Sequence, residues 1–243
     1  MKHDNKNNNK TNKLPIYIQI GELLHREIAA GHWLPGERLP VESELAANLG
    51  VAVGTLRKAL AKLEKDGLLE RRQGSGTYVK RAPSGRAIYQ FFRLELPEGG
   101  GVPSADTLTC ERISNPQIAK KLGVEYADAH MWRIQRLRYL NSVPVAAEEI
   151  WIDHRHASQL TVDDLHESLY MHYREHFDFW ISRVEDKVGC GPAPAWACDR
   201  LQLPSQSPLG LVERISWSNQ DRVEEFSTTW FNPDVCQYVA RWS

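Results

Sequence analysis

The chain has 243 residues, enough for two compact domains, and its 42% hydrophobic and 25% charged residues are the fractions of a folded globular protein rather than a disordered or fibrous one. Its formal charge of −1 hides an asymmetry: residues 1–80 carry 13 Lys+Arg against 9 Asp+Glu, and the remainder carries 17 against 22. No apolar run approaches the roughly 18 residues of a membrane span and the start lacks the apolar core of a signal peptide, which argues against a membrane or secreted protein and predicts a cytoplasmic one.

Residues 1–13, MKHDNKNNNKTNK, hold four lysines and read as a disordered basic arm. From Leu14 onward Ile16, Ile20, Leu23, Leu24 and Ile28 form the apolar stripe of a helix that tolerates Pro15 in its first turn and stops at Ala30-Gly31. After a proline-containing connection, His32 to Pro40, a short helix runs from Glu42 to Leu49 and is stopped by Gly50. A third helix begins near Val53. Its Leu56, Ala59, Leu60 and Leu63 recur at i, i+3, i+4 and i+7, so Gly54, Arg57, Lys58, Ala61 and Lys65 fall on the opposite face. That face is basic and free of bulk, as a helix entering the DNA major groove requires. Leu68–Arg72 and Thr77–Lys80 are strands around Gln73-Gly74-Ser75-Gly76, a turn whose glycines permit positive φ. A lysine-rich helix alone reads equally as a solvated face. Two helices across a glycine followed at once by a hairpin read as a winged helix-turn-helix. The hairpin is not a nucleotide cradle, since no Gly-Lys-Ser/Thr opens a helix there.

Residues 81–88, beginning Arg81-Ala82-Pro83-Ser84-Gly85-Arg86, read as a linker. Beyond it the period changes to two. Ala129–Leu140 and Val143–Ile152 form one hairpin around Asn141-Ser142, and Leu209–Ser218 and Val223–Phe231 form another around Asn219 to Arg222. Helices are expected near Pro116–Leu122, Leu165–His176 and Pro194–Leu201. Antiparallel strands with helices segregated to one side predict an α+β domain over residues 89–243, and the two similar hairpins suggest an internal pseudo-repeat. Arg136 and Arg138, two apart on a strand, share a face and can clamp an anion, with Glu148 and Glu225 on other strands to accept from ligand hydroxyls or amines. The competing reading is a solvent-side cross-strand ion pair. Trp132, Trp151, Trp180, Trp217 and Trp230 are enough to supply core, a dimer interface and an aromatic pocket wall.

The four cysteines, Cys110, Cys190, Cys198 and Cys236, form no C-x-x-C pair and read as free buried thiols. His172-Tyr173-Arg174-Glu175-His176 matches an H-x-x-E-H metalloprotease pattern, but it lies on an ordinary amphipathic helix with no downstream ligand glutamate. No metal site, cofactor or catalytic residue is expected, because there is neither a nucleophile with an oriented base nor a paired-carboxylate motif.

Three linked motifs, Leu39-Pro40-x-Glu42-x-Glu44-Leu45-Ala46, Thr55-Leu56-Arg57-Lys58-Ala59-Leu60 and Gly67 through Val79, make residues 14–80 closely resemble the DNA-binding domain of GntR-family bacterial transcription regulators. The second half resembles the effector domain of the HutC subfamily, also called UTRA, with a chorismate-lyase-like fold. It does so through Ile134-x-Arg136-x-Arg138, Pro144 to Glu148, Val212-Glu213-Arg214 and Glu225-Phe226-Ser227. The resemblance implies a homodimeric regulator, expected to be a repressor, that binds double-stranded DNA at an operator inverted repeat and responds to a small-molecule effector. A DNA-binding dimer without a ligand, or a DNA-binding enzyme, are the alternatives.

The operator-facing set so implied is Arg38, Glu42, Ser43, Val53, Gly54, Thr55, Arg57 and Lys58, with Arg72, Gln73, Gly74 and Ser75 in the wing. The effector-facing set is Arg136, Arg138, Glu148, Glu225 and Phe231. Arg57→Ala is expected to abolish specific binding and Lys62→Ala to weaken binding to all DNA. The chain departs from the family pattern at Val41, Ser43, Ala52 and Val53, where serine, arginine, serine or threonine, and arginine are common, and at Phe231 and Asn232, where tyrosine and arginine are. Ala52 removes a helix N-cap, and Val53 cannot fork onto guanine.

Overall fold

The computed structural model describes residues 14–29, 32–34, 36–80, 91–124 and 130–240. The basic arm, the Ala30-Gly31 stop and the linker expected from sequence lie outside these residues.

Helices α1 (Ile16–Ala29), α2 (Glu42–Asn48) and α3 (Val53–Lys65) pack with the hairpin β1 (Leu69–Arg72) and β2 (Gly76–Val79). The apolar stripes read from sequence meet in one core, with Ile20 and Leu24 of α1, Leu45 of α2, Leu56, Leu60 and Leu63 of α3, and Leu69 and Val79 of the hairpin all buried together. Gly50, at φ 64°, turns the chain between α2 and α3. The hairpin pairs Leu69 with Val79 and Arg72 with Gly76, leaving Gln73-Gly74-Ser75 as the exposed tip.

The second half contains β3 (Leu94–Glu95), β4 (Pro103–Ser114), α4 (Pro116–Lys121), β5 (His130–Leu140), β6 (Val143–Asp153), α5 (Leu169–His176), β7 (Ile181–Pro192), α6 (Ala195–Leu201), β8 (Pro208–Ser218), β9 (Val223–Phe231) and β10 (Gln237–Tyr238). Six strands form one antiparallel sheet in the order β4-β5-β6-β9-β8-β7. The order is that of two β-α-β-β units, β4-α4-β5-β6 and β7-α6-β8-β9, meeting at the β6·β9 seam, as an internal repeat would be arranged. Asn141 and Ser142, both at positive φ, make the tight β5–β6 turn. β3 and β10 form a separate two-stranded strap.

The expectation of helices on one side of the sheet is corrected. α4 and α6 cover the face carrying Met131, Leu137, Ala147, Trp151, Leu209 and Phe226, whereas α5 and the strap cover the face carrying Ile134, Ile150, Val212 and Phe231. Both faces of the central strands are apolar, so both require a cover. Helix α5 also begins later than the expected Leu165, after a 3-10 turn at Val162–Asp164, because Ser168 caps it by accepting from the Met171 amide. Two of the thiols, Cys198 and Cys236, are buried, but Cys190 is exposed on β7. Among the described residues no helix is long and apolar enough to cross a membrane.

Candidate DNA-binding surface and effector pocket

Helix α3 turns its apolar face inward and leaves Gly54, Arg57 and Lys58 exposed, with Thr55 and Val53 half-buried. Val53 packs in part against the core. Ala52 provides no side-chain cap, and neither does Val41 at the start of α2, so neither cap residue accepts from a first-turn amide through its side chain. Glu42 organises the surface. Its carboxylate accepts from Arg57 Nε at 2.6 Å and lies 3.7 Å from Arg71, setting two guanidinium groups side by side. Arg38 pairs with the wing at Tyr78 and lies against Gly76, where a Cβ would sit 2.7 Å from Arg38 Nε.

In the wing, Arg72 is bonded to Glu70 and lies 4.1 Å over the Tyr78 ring, while Ser75 Oγ is 2.6 Å from the Tyr78 hydroxyl. Gly74, at φ 73°, has open space where a Cβ would be. Ser43 is exposed, and with Arg38, Glu42, Val53 and Arg57 it borders a shallow cleft between wing and helix. The structure thus gathers Arg38, Glu42, Ser43, Val53 and Arg57 of the expected set around one cleft, with Gln73-Gly74-Ser75 exposed at the wing tip. Lys62, toward the end of α3, is half-buried and paired with Asp66 at 2.5 Å.

The second site is a cavity between the sheet, α5 and the strap, lined by Arg136, Arg138, Glu148 and Glu225 from the sheet, Tyr170 from α5, and Phe92, Arg93 and Tyr238 beside or on the strap. Arg136 and Arg138 are only 2% and 4% exposed, and Glu148 Oε2 stands between them at 3.9 and 3.8 Å. Their common orientation follows from the strand period. Glu225 accepts from Tyr173 at 2.6 Å, Ser216 at 3.2 Å and Tyr170 at 3.3 Å. Burial lifts its carboxyl above the usual carboxylate range, although the bond from Tyr173 and the charge of Arg214 pull the other way. Arg214 also borders the cavity and forks onto Asp186 at 2.6 and 2.7 Å. Burial would raise Asp186, but the Arg214 fork outweighs it and holds that carboxyl below its ordinary value.

Residues 16–79 match the model of bacterial regulatory proteins of the gntR family, and residues 98–237 match the UTRA domain. The chain belongs to the GntR family. This GntR protein is 44% identical to the HTH-type transcriptional regulator SmoD of Agrobacterium fabrum over 94% of its own length and 96% of SmoD. It is 32% identical to MngR of Escherichia coli K12, the repressor of a mannosyl-D-glycerate transport and metabolism system, over 93% of this chain and 95% of MngR. It is also similar to the ligand-binding domain assigned to a GntR-family regulator of Bordetella bronchiseptica, with a TM-score of 0.58 and 25% identity, covering 64% of this chain and 99% of that one. It is therefore a DNA-binding transcription regulator of the HutC-like branch, with a UTRA effector domain, and not an enzyme.

The UTRA cavity corrects two sequence expectations. Phe231 is not among its lining residues: it is buried in the core beneath the strap, lying over Gly210, its partner in the β8–β9 pairing. Nor do the tryptophans form the aromatic wall among the described residues. Phe91, Phe92, Tyr170 and Tyr238 do, while Trp132 and Trp151 are core. Arg214 was legible as the residue two after Val212 on an inward face. Phe91 and Phe92 carried no signal, because their segment reaches the cavity only through the strap pairing of β3 with β10.

The cavity is wired to α1 and to Leu14 before it. Arg138 lies 4.5 Å from the Phe92 ring centroid and Arg26 of α1 lies 4.9 Å from it, while Arg26 Nη2 donates to the Leu94 carbonyl at 3.0 Å. Arg136 Nη2 donates to the Glu167 carbonyl at 2.6 Å, and the carboxylate of Glu167 accepts from the Leu14 amide at 2.6 Å and from Ala105 at 3.1 Å. Arg138 is thus a single residue removed from α1, and Arg136 a single residue removed from Leu14 just before it.

Proposed function

We propose that this regulator represses transcription in the cytoplasm as a homodimer. Its two winged helices, residues 14–80 of each chain, bind an operator inverted repeat, and a small anionic metabolite in the cavity of residues 89–243 controls that binding. The observation that carries the effector reading is the charge of the cavity wall, which holds Arg93, Arg136, Arg138 and Arg214 against Glu148 and Glu225. Buried guanidinium forks recognise carboxylates and phosphates through paired, charge-assisted hydrogen bonds. The repressor MngR supports the same chemistry, since mannosyl-D-glycerate is a carboxylated sugar. A rear domain that only dimerised would leave Arg136 and Arg138 on the solvent side, and their burial speaks against it.

An anion drawn between Arg136 and Arg138 competes with the Glu167 carbonyl and the Phe92 ring for the same guanidinium groups. Releasing either contact changes the hold on α1, and so shifts the balance between two placements of the winged helices. The test begins with operator selection from random DNA. Anisotropy titrations should then show Arg57→Ala losing specific affinity, and Lys58→Ala weakening binding to all sequences alike. Sugar acids and sugar phosphates are screened by thermal shift. A true effector changes operator affinity, and its binding is lost in Arg136→Gln. Ligands that bind without altering operator affinity count against the reading, as does unchanged specific binding in Arg57→Ala.

A further inference from the structure

His166, in the turn before α5, and His172 and His176, one helical turn apart on α5, bring their ring nitrogens together. One ligand atom from each lies within 4.8 Å of the other two. We propose that these three histidines form a binding site for a borderline divalent transition metal, of which zinc is the natural probe, open to solvent on its fourth side.

The strongest support is His172. It is only 3% exposed, yet neither ring nitrogen has a hydrogen-bond partner among the described residues. Buried polar groups are normally satisfied, and an imidazole with two idle nitrogens amid other histidines is a ligand awaiting an ion. The second support is an orienting carboxylate. Glu175 Oε2 lies 3.5 Å from His166 Nδ1, close enough to tighten into the carboxylate–histidine hydrogen bond that orients a metal ligand.

The i, i+4 spacing of His172 and His176 places both on one helix face. Tetrahedral zinc with bonds of about 2.0–2.1 Å needs its ligand atoms about 3.4 Å apart, so the three rings must draw in from their present spacing, and the exposed His176 has room to turn. Three imidazoles suit zinc, nickel, cobalt or copper rather than magnesium or calcium. The third ligand could not be read from the H-x-x-E-H pattern because it comes from upstream and from outside the helix. The adjoining face of α5 carries Tyr173, which is bonded to Glu225. The ligands bracket Glu167 and Ser168, so the ion would staple the segment that holds Leu14 and caps α5.

The test uses the full-length protein stripped of metal and titrated with zinc sulfate against a chromogenic chelator, with cobalt as a spectroscopic probe. Wild type should take up one zinc per chain at this site and give the intense visible bands of tetrahedral cobalt. His176→Gln, an exposed change that should leave the circular dichroism spectrum intact, and His166→Gln should each weaken uptake by roughly tenfold or more, and Glu175→Gln should weaken it by a smaller factor. His154→Gln, in a separate histidine pair, should change nothing. Equal uptake by wild type and His176→Gln, or no stoichiometric uptake by wild type, overturns the proposal.

Discussion

Single side chains here are set more by what covers them than by their own chemistry. His25 in α1 is 8% exposed, and burial, with Lys62 nearby and only Asp66 opposing, lowers its pKa from 6.5 to about 4. Because the unfolded chain takes up that proton first, the stabilisation from a neutral His25 is complete above about pH 6.5 and declines as pH falls toward 4. Urea unfolding of the DNA-binding half at pH 7.5 and pH 5 should therefore show a loss on the order of 2 kcal/mol that His25→Leu largely removes. Gly210 is a second case. A Cβ there would lie 2.1 Å from the Phe231 ring, so Gly210→Ala should destabilise the UTRA half by about 1–3 kcal/mol, measured by thermal unfolding. The same contact explains why Phe231, assigned to the effector by resemblance, is core: Gly210 on the paired strand makes room for its ring.

At the scale of elements, legibility followed periodicity. The three N-terminal helices, the wing and both central hairpins were readable because each buries one regular face. β4 was not, because it opens with Pro103, is rich in serine and threonine, and slips register between Thr107 and Thr109. β7 was not, because as an edge strand it pairs on one side only and carries Arg183, Glu185, Asp186 and Lys187, residues that edge strands use to deter further pairing. Helix α3 permits a direct test of its missing cap. Ala52→Ser should stabilise the DNA-binding half by about 1 kcal/mol, read as a raised urea midpoint with an unchanged slope. No gain would mean that a side-chain cap adds nothing to the bond the Thr55 amide already makes to the Ala52 carbonyl.

On the scale of the whole molecule, the two halves meet where α1 contacts the strap and the end of the Glu167 turn. Phe92, between Arg138 and Arg26, joins the pocket to α1 through a single side chain. With an effector in hand, Phe92→Ala should leave operator affinity of the free protein within about twofold. It should also reduce the effector-induced change in that affinity, a coupling typically of about 1–3 kcal/mol, by half or more. Paired anisotropy titrations with and without effector decide it, and undiminished coupling would place the route through Glu167 alone.

Local pattern by itself determined that this chain has a basic winged helix in front and an antiparallel α+β domain behind, and it put Arg136, Arg138 and Glu148 on facing strands. Those are consequences of helix and strand periods, which act over a few residues. Only the tertiary structure decided that the two arginines are buried and reach α1 and Leu14 through Phe92 and Glu167, that Phe231 is core, and that His166 joins His172 and His176. Each depends on segments distant in sequence being brought together by the burial of both faces of one sheet, and no spacing along the chain records that.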